Sequence, residues 1–302
     1  MNRHTSGTLM VVTSAAGFAT LAIFVKYAYA AGVNTVTLIT GRFLLAALVL
    51  WAVVILRKTP IVIDKITAIK LCLMGILGYG TMSMMFASSL YYLPASLSAM
   101  LLYAYPAIVS VIAFAIGDEV FSWNKGMALI MCFIGLFLVL GVSFNDVQPI
   151  GVMLSLGAAL VYSGYIIIGN RVLKSVDSLV ATTYVCSAAG IALLLIGWAG
   201  GLQSLSFAAE GWLAIFGIAF LGTIVGVLGF FAGMSRIGAA NASIISMTEP
   251  VITVLLSMLL LTEKLTSVQV LGGLLIIAGV IILQLWAKDS QPAAENQSVS
   301  SN

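Results

Sequence analysis

Ten apolar runs follow one another along this chain, separated only by short polar connections, and each is close to the length that crosses a bilayer as a helix. They are Gly7–Tyr29, Thr35–Leu56, Leu71–Leu93, Ala95–Ile116, Gly126–Ser143, Pro149–Asn170, Ser178–Trp198, Gly211–Met234, Ala239–Leu261 and Ser267–Ala287. A helix rising 1.5 Å per residue needs roughly 20 residues to span the hydrocarbon. Residues are 62% hydrophobic and only 8% charged, too few polar groups to cover an apolar core in water. The alternating segments of a transmembrane strand barrel are absent. The expectation is an all-α, polytopic membrane protein with ten transmembrane helices.

A shift of 144 residues lays the second half of the sequence on the first. Gly7 falls on Gly151, Gly78 on Gly222, Phe86 on Phe230, Ala95 on Ala239, Pro106 on Pro250, Glu119 on Glu263 and Gly135 on Gly279. Each copy carries five runs. Because five is odd, the second copy enters the membrane from the opposite side, giving two inverted five-helix repeats around a midplane site. The expected boundaries are 7–143 for the first repeat, 149–287 for the second and 288–302 for a disordered cytoplasmic tail rich in Ser, Asn and Gln.

The basic residues set the expected orientation. With a cytoplasmic N-terminus, inside segments hold Arg3, Arg57, Lys58, Lys65, Lys70, Lys125, Arg171, Lys174, Arg236 and Lys288; outside segments hold Lys26 and Lys264. This bias predicts that both termini are cytoplasmic. It also accounts for the net charge of +3 without a nucleic-acid partner. The first run is too long for a removable leader, so no signal peptide is expected. Cys72, Cys132 and Cys186 fall inside apolar runs and are expected as free thiols.

Polar residues at membrane depth are the candidates for function, because each is costly there unless paired, hydrated or neutralised. Glu249 lies near the middle of the ninth run, immediately before Pro250, which cannot donate to the carbonyl of Ser246 and so opens the helix. Ser246, Glu249, Thr253 and Ser257 form one polar stripe at helical spacing. In the first copy Tyr105 replaces Glu249, while Pro106 keeps the kink. Phe18, Tyr79, Phe86, Tyr162 and Tyr165 are candidate aromatic lining, with packing in the core as the alternative. Arg42 either snorkels, pairs structurally or meets a substrate carboxylate. Lys26, Tyr91, Tyr92 and Trp123, near helix ends, read as interfacial anchors. Gly222, Gly226, Gly229 and Gly233 supply close helix packing. Glu119 and Glu263 are expected to cap neighbouring helices or pair with lysines.

Met247-Thr248-Glu249-Pro250-Val251, continuing through Thr262-Glu263-Lys264-Leu265, resembles the hallmark of EamA-type transporters in the drug/metabolite transporter superfamily. Tyr103-Ala104-Tyr105-Pro106 through Gly117-Asp118-Glu119 resembles its first-copy counterpart, and Gly41-Arg42-Phe43-Leu44-Leu45-Ala46 the second-helix motif. The likeness covers about residues 7–286. It implies a carrier of the bacterial inner membrane working by alternating access, with the first, third, fourth, sixth, eighth and ninth helices around a central cavity. It also implies amino acid or related metabolite export, with drug or cation export and metabolite exchange as alternatives. Glu249 would bind a substrate ammonium or take up a proton. The expected partners are a small-molecule substrate and the bilayer, with proton coupling and a weak homodimer left open beside a monomer.

Other classes fit less well. The lone histidine is His4, and no HExxH motif or pair of membrane aspartates is present. No catalytic residue, metal or cofactor is therefore expected, and an intramembrane enzyme is disfavoured. A channel would share the helices and glycines, but would not require kinks at corresponding points in two copies.

Overall fold

The computed structural model describes residues 3–61, 63–116, 123–141, 148–172, 176–237, 245–246 and 248–289. Every regular element among them is helical. Among the described residues six helices are long and apolar enough to cross a membrane: 5–30, 35–56, 65–89, 149–169, 179–199 and 210–230, with shorter apolar helical stretches at 95–109, 126–138, 248–260 and 267–279. Their outer faces carry uncovered side chains such as Leu48, Leu213 and Leu259. Such a surface belongs in lipid.

The first two runs form α1 (Arg3–Ala30) and α2 (Thr35–Leu56). Asn34 caps α2 by accepting from the Thr37 backbone N–H at 2.8 Å. The third run starts earlier than its apolar stretch, as α3 (Lys65–Leu73) capped by Asp64. It continues through a π segment (Met74–Gly80) into α4 (Thr81–Ser89). Hydrogen bonds from the Thr67 side chain and backbone hold the Asp64 carboxyl below its ordinary range, as an N-cap requires.

The fourth run is two helices, α5 (Ala95–Leu102) and α6 (Tyr105–Ala115). They part at Tyr103-Ala104, because Pro106 has no N–H for the carbonyl of Leu102 and suits the first turn of a new helix. Then come α7 (Trp123–Gly141), α8 (Pro149–Val172) and α9 (Ser178–Ala199), with Asp177 capping α9. The eighth run repeats the plan of the third: α10 (Glu210–Ala219), a π segment (Phe220–Val225) and α11 (Gly226–Ile237). Finally come α12 (Thr248–Leu260) and α13 (Ser267–Asp289). Glu119, the start of the ninth run and residues from 290 onward lie outside the described residues.

Contacts between helices come in corresponding pairs. α1 packs on α10, α11 and α12, and α8 packs on α4, α5 and α6. α2 packs on α9, and α7 on α13. In the last pair a Cβ on Gly135 would meet the Gly272 carbonyl at 2.6 Å, and one on Gly279 would meet the Ala128 carbonyl at 2.8 Å. Gly135 corresponds to Gly279, and Ala128 to Gly272, so this is one contact made twice around a pseudo-two-fold axis. Between them the Cys132 thiol faces the carbonyl of its own counterpart, Ile276, at 3.7 Å. These corresponding helices therefore run antiparallel. So do α2 and α9, where Trp51 meets Ser187 and Leu44 meets Gly190.

The eighth run lies along α1 through its glycines. A Cβ on Gly226 would strike the Phe18 ring at 2.6 Å, and one on Gly229 would reach the Met10 carbonyl at 3.1 Å. Gly222 faces Leu21, and Gly233 faces Val11 and the Gly7 carbonyl. The same packing recurs in the other copy, where Gly78, the counterpart of Gly222, faces Tyr165, the counterpart of Leu21.

Candidate functional site

The breaks and π segments leave polar and aromatic side chains at the meeting point of the two copies. Five tyrosines form a continuous row there. Tyr103, which closes α5, lies 6.1 Å between ring centroids from Tyr105 at the start of α6. Tyr105 meets the edge of Tyr162 on α8 at 4.8 Å. Tyr162 stacks near Tyr165 at 5.8 Å, and Tyr165 stacks near Tyr79 of the first π segment at 5.6 Å. Tyr79, Tyr105, Tyr162 and Tyr165 each keep part of their surface uncovered, whereas Tyr103 is buried.

A charged group stands at each end of this row. At one end stands Glu249, partly covered on the first turn of α12, with the Tyr103 hydroxyl within interaction reach of its carboxylate. Glu249 is also within electrostatic reach of Tyr79, Tyr105 and Tyr162. At the other end Arg42, on α2 and only 4% exposed, donates from Nη2 to the Tyr79 hydroxyl and from Nε to the Thr223 hydroxyl, both at 2.9 Å. Its guanidinium lies 5.5 Å from the Tyr79 ring centroid and 5.2 Å from that of Phe43. Both acceptors of this buried cation are uncharged hydroxyls. Arg42 is thus held inside the protein rather than snorkelling to the surface.

Other expected residues take packing positions. Phe18 packs on the backbone of Gly226, and Phe86 lies in the core beside Leu38, Phe43 and Leu90. In the polar stripe, Thr253 is buried and turns its hydroxyl back to the Glu249 carbonyl at 3.0 Å, while Ser257 is fully buried. Ser246 lies just before α12, with an interaction of its own. Pro250 is buried, and beside it Met100, Tyr103, Val254, Gly273 and Ile276 line an apolar crevice between α5, α12 and α13. The three cysteines are free, and no group of three or more His, Cys, Asp or Glu residues among the described residues is placed to hold a metal.

Glu263 is a helix cap. Its two carboxylate oxygens accept from the Ala95 N–H at 2.6 Å, the Ser96 N–H at 3.0 Å and the Ser96 hydroxyl at 2.6 Å. A loop of the second copy thereby closes the start of α5 in the first. Lys26 lies close by and donates to the carbonyl of Leu93 at 2.7 Å, fixing the end of the turn that leads into α5. Tyr91 and Trp123 are exposed near helix ends, and Tyr91 stacks on Tyr29 with centroids 3.7 Å apart.

Sequence reasoning missed Tyr103 and Thr223. Tyr103 sits two residues before the Tyr105-Pro106 kink, which points to it once the helix is known to break there. Thr223 is the counterpart of Tyr79 under the 144-residue shift, a signal that could have found it.

Residues 5–141 and 149–285 each match the EamA-like transporter family. The chain is 26% identical over 279 residues to the uncharacterized transporter YcbK of Bacillus subtilis, covering 88% of this chain and 89% of that protein. The uncharacterized transporter YyaM of the same organism is 26% identical over 253 residues, with 80% and 81% covered. The uncharacterized inner membrane transporter YicL of Salmonella typhimurium is 36% identical over 115 residues, 34% of this chain and 38% of that protein. A solved crystal structure superposes with a TM-score of 0.69 at 18% identity, covering 95% of this chain and 99% of its own. That likeness is one of fold.

Proposed function

The chain belongs to the EamA-like transporter family, and from that premise we propose that it is a secondary transporter exporting an amino acid or closely related metabolite by alternating access. One observation carries the reading: a row of tyrosines drawn from both repeats, with Glu249 at one end and the buried Arg42 at the other. Glu249 matches a substrate ammonium or carries a proton, the tyrosine faces accept an apolar or aromatic body, and Arg42, at the far end of the row, meets a carboxylate as the substrate moves along it. Ser246 adds a hydroxyl beside Glu249, and Phe18 borders the opposite helix pair. Pro106 and Pro250 break the fourth and ninth helices where the halves rock.

The topology that serves this cycle is ten transmembrane helices in two inverted repeats, 7–143 and 149–287, with both termini cytoplasmic in a bacterial inner membrane. Gly222, Gly226, Gly229 and Gly233 keep the eighth helix on the first. The working unit is a monomer or weak homodimer, with no cofactor. A cationic drug exporter would use Glu249 and the tyrosines but bring no carboxylate to Arg42.

A competition screen in proteoliposomes, with and without a pH gradient, tests substrate and coupling together. Zwitterionic amino acids should compete better than the matching amines or carboxylic acids. If amines compete equally well, the amino acid reading fails and the cationic alternative takes its place. Acceleration by an opposing pH gradient identifies proton exchange.

A further inference from the structure

Arg42 occupies an unusual place relative to the internal symmetry. Its two hydrogen-bond acceptors, Tyr79 and Thr223, are themselves counterparts, 144 positions apart. Each lies in a π segment, one in the third run and one in the eighth. Such segments mark points where a helix departs from its regular ladder, often at sites of function. Thr223 spends its own hydrogen on the carbonyl of Ile218 at 3.2 Å, five residues back, which leaves its oxygen to accept from Arg42. One guanidinium on α2 therefore joins equivalent points of the two repeats. The counterpart of Arg42 is Cys186, fully buried on α9 and within electrostatic reach of Arg42 and Tyr79. A cysteine cannot reproduce the fork, so the bridge is made once and not twice.

We propose that Arg42 and Thr223 are positioning residues, forming a tie that holds the two π segments together in this conformation and is released when the halves rock. The planar guanidinium suits the task, since Nε and Nη2 donate along two fixed directions to two different helices; a lysine ammonium presents a single point. In an inverted-repeat carrier one repeat rocks against the other, and the two π segments belong to different repeats. Two bonds of 2.9 Å to both helices cannot survive their separation, so the tie selects one state over the other. Among the described residues Nη1 meets no acceptor, and a substrate carboxylate engaging it would draw the guanidinium from Thr223. The release on rocking and that last step rest on the function proposed above; the contact of Arg42 with both π segments does not.

Spin labels on cysteines replacing Leu77 and Phe220, both exposed residues of the two π segments, read the separation directly. Cys72 is replaced in this background, while Cys132 and Cys186 stay buried. In substrate-free proteoliposomes, Thr223→Val and Arg42→Gln should shift the distance distribution toward the longer component, and Arg42→Lys should shift it in the same direction. Thr223→Val is nearly isosteric, so it should do this with the melting temperature close to wild type. A wild-type distribution in folded Thr223→Val overturns the tie, even if Arg42→Gln fails to fold. Glu249→Gln should keep the wild-type distribution without substrate. Undiminished transport by Glu249→Gln would remove the proposed site and leave the tie standing.

Discussion

Glu249 and Glu263 bracket α12 and do different work. Glu263 accepts three hydrogen bonds from the first turn of α5 and serves as a cap supplied by the other repeat. Its replacement by alanine removes a charged acceptor from a helix start, so we expect a loss of about 1–2 kcal/mol, seen as a lower melting temperature. The near-isosteric Glu263→Gln should recover part of it. Glu249 instead lies beside Tyr103 at the junction of the repeats, as a residue only partly covered. Tyr103→Phe should preserve the fold and weaken transport by about ten- to a hundredfold, the worth of one hydrogen bond to a charged group. Michaelis–Menten flux measurements on the variant check this. Glu249, Tyr105 and Arg42 were legible in the sequence because a polar residue in an apolar run has few reasons to be there. Tyr103 was not, since an aromatic near a kink fits core packing equally well until its hydroxyl is seen to have a partner.

At the scale of elements, the kinks and the insertions have different visibility. Pro106 announces the break between α5 and α6, since its missing N–H is a property of the residue. The π segments at Met74–Gly80 and Phe220–Val225 have no such marker, as an extra residue in a helical turn leaves the apolar pattern intact. The third helix also begins before its apolar run, at the Asp64 cap, with Lys65 and Lys70 on its first two turns. Glycine spacing indicated close packing but not the partner, which proved to be α1. Gly17, on the α1 side of this contact, leaves no room for a side chain: a Cβ there would stand 2.6 Å from the Leu221 carbonyl, a backbone atom that cannot rotate away. Gly17→Ala should therefore destabilise the protein by about 1–3 kcal/mol, measured as a fall in melting temperature in detergent. Gly164→Ala, with open space at its Cβ, is the control and should change little.

For the whole molecule, the 144-residue echo foretold the arrangement, and the structure displays it in the antiparallel contacts of α7 with α13 and α2 with α9. What it could not foretell is where symmetry is abandoned. Tyr79, Tyr105, Tyr162 and Tyr165 have the counterparts Thr223, Glu249, Phe18 and Leu21, so one side of the junction is phenolic while the other is mixed. Orientation across the membrane is testable by labelling. A thiol replacing the exposed Ser206 should react with an impermeant maleimide added outside cells, whereas one replacing Lys58 should react only after permeabilisation. The reverse pattern would place the termini outside. If the chain is a carrier, as proposed, its cycle turns on a carboxylate at the junction of its repeats. Counterflow of a labelled amino acid into proteoliposomes, comparing wild type with Glu249→Gln, tests it most directly. Uptake should be saturable, stimulated by unlabelled substrate on the far side and reduced at least about tenfold in the variant; flux that rises linearly without such stimulation, or a variant that matches wild type, would rule out a carrier working through Glu249.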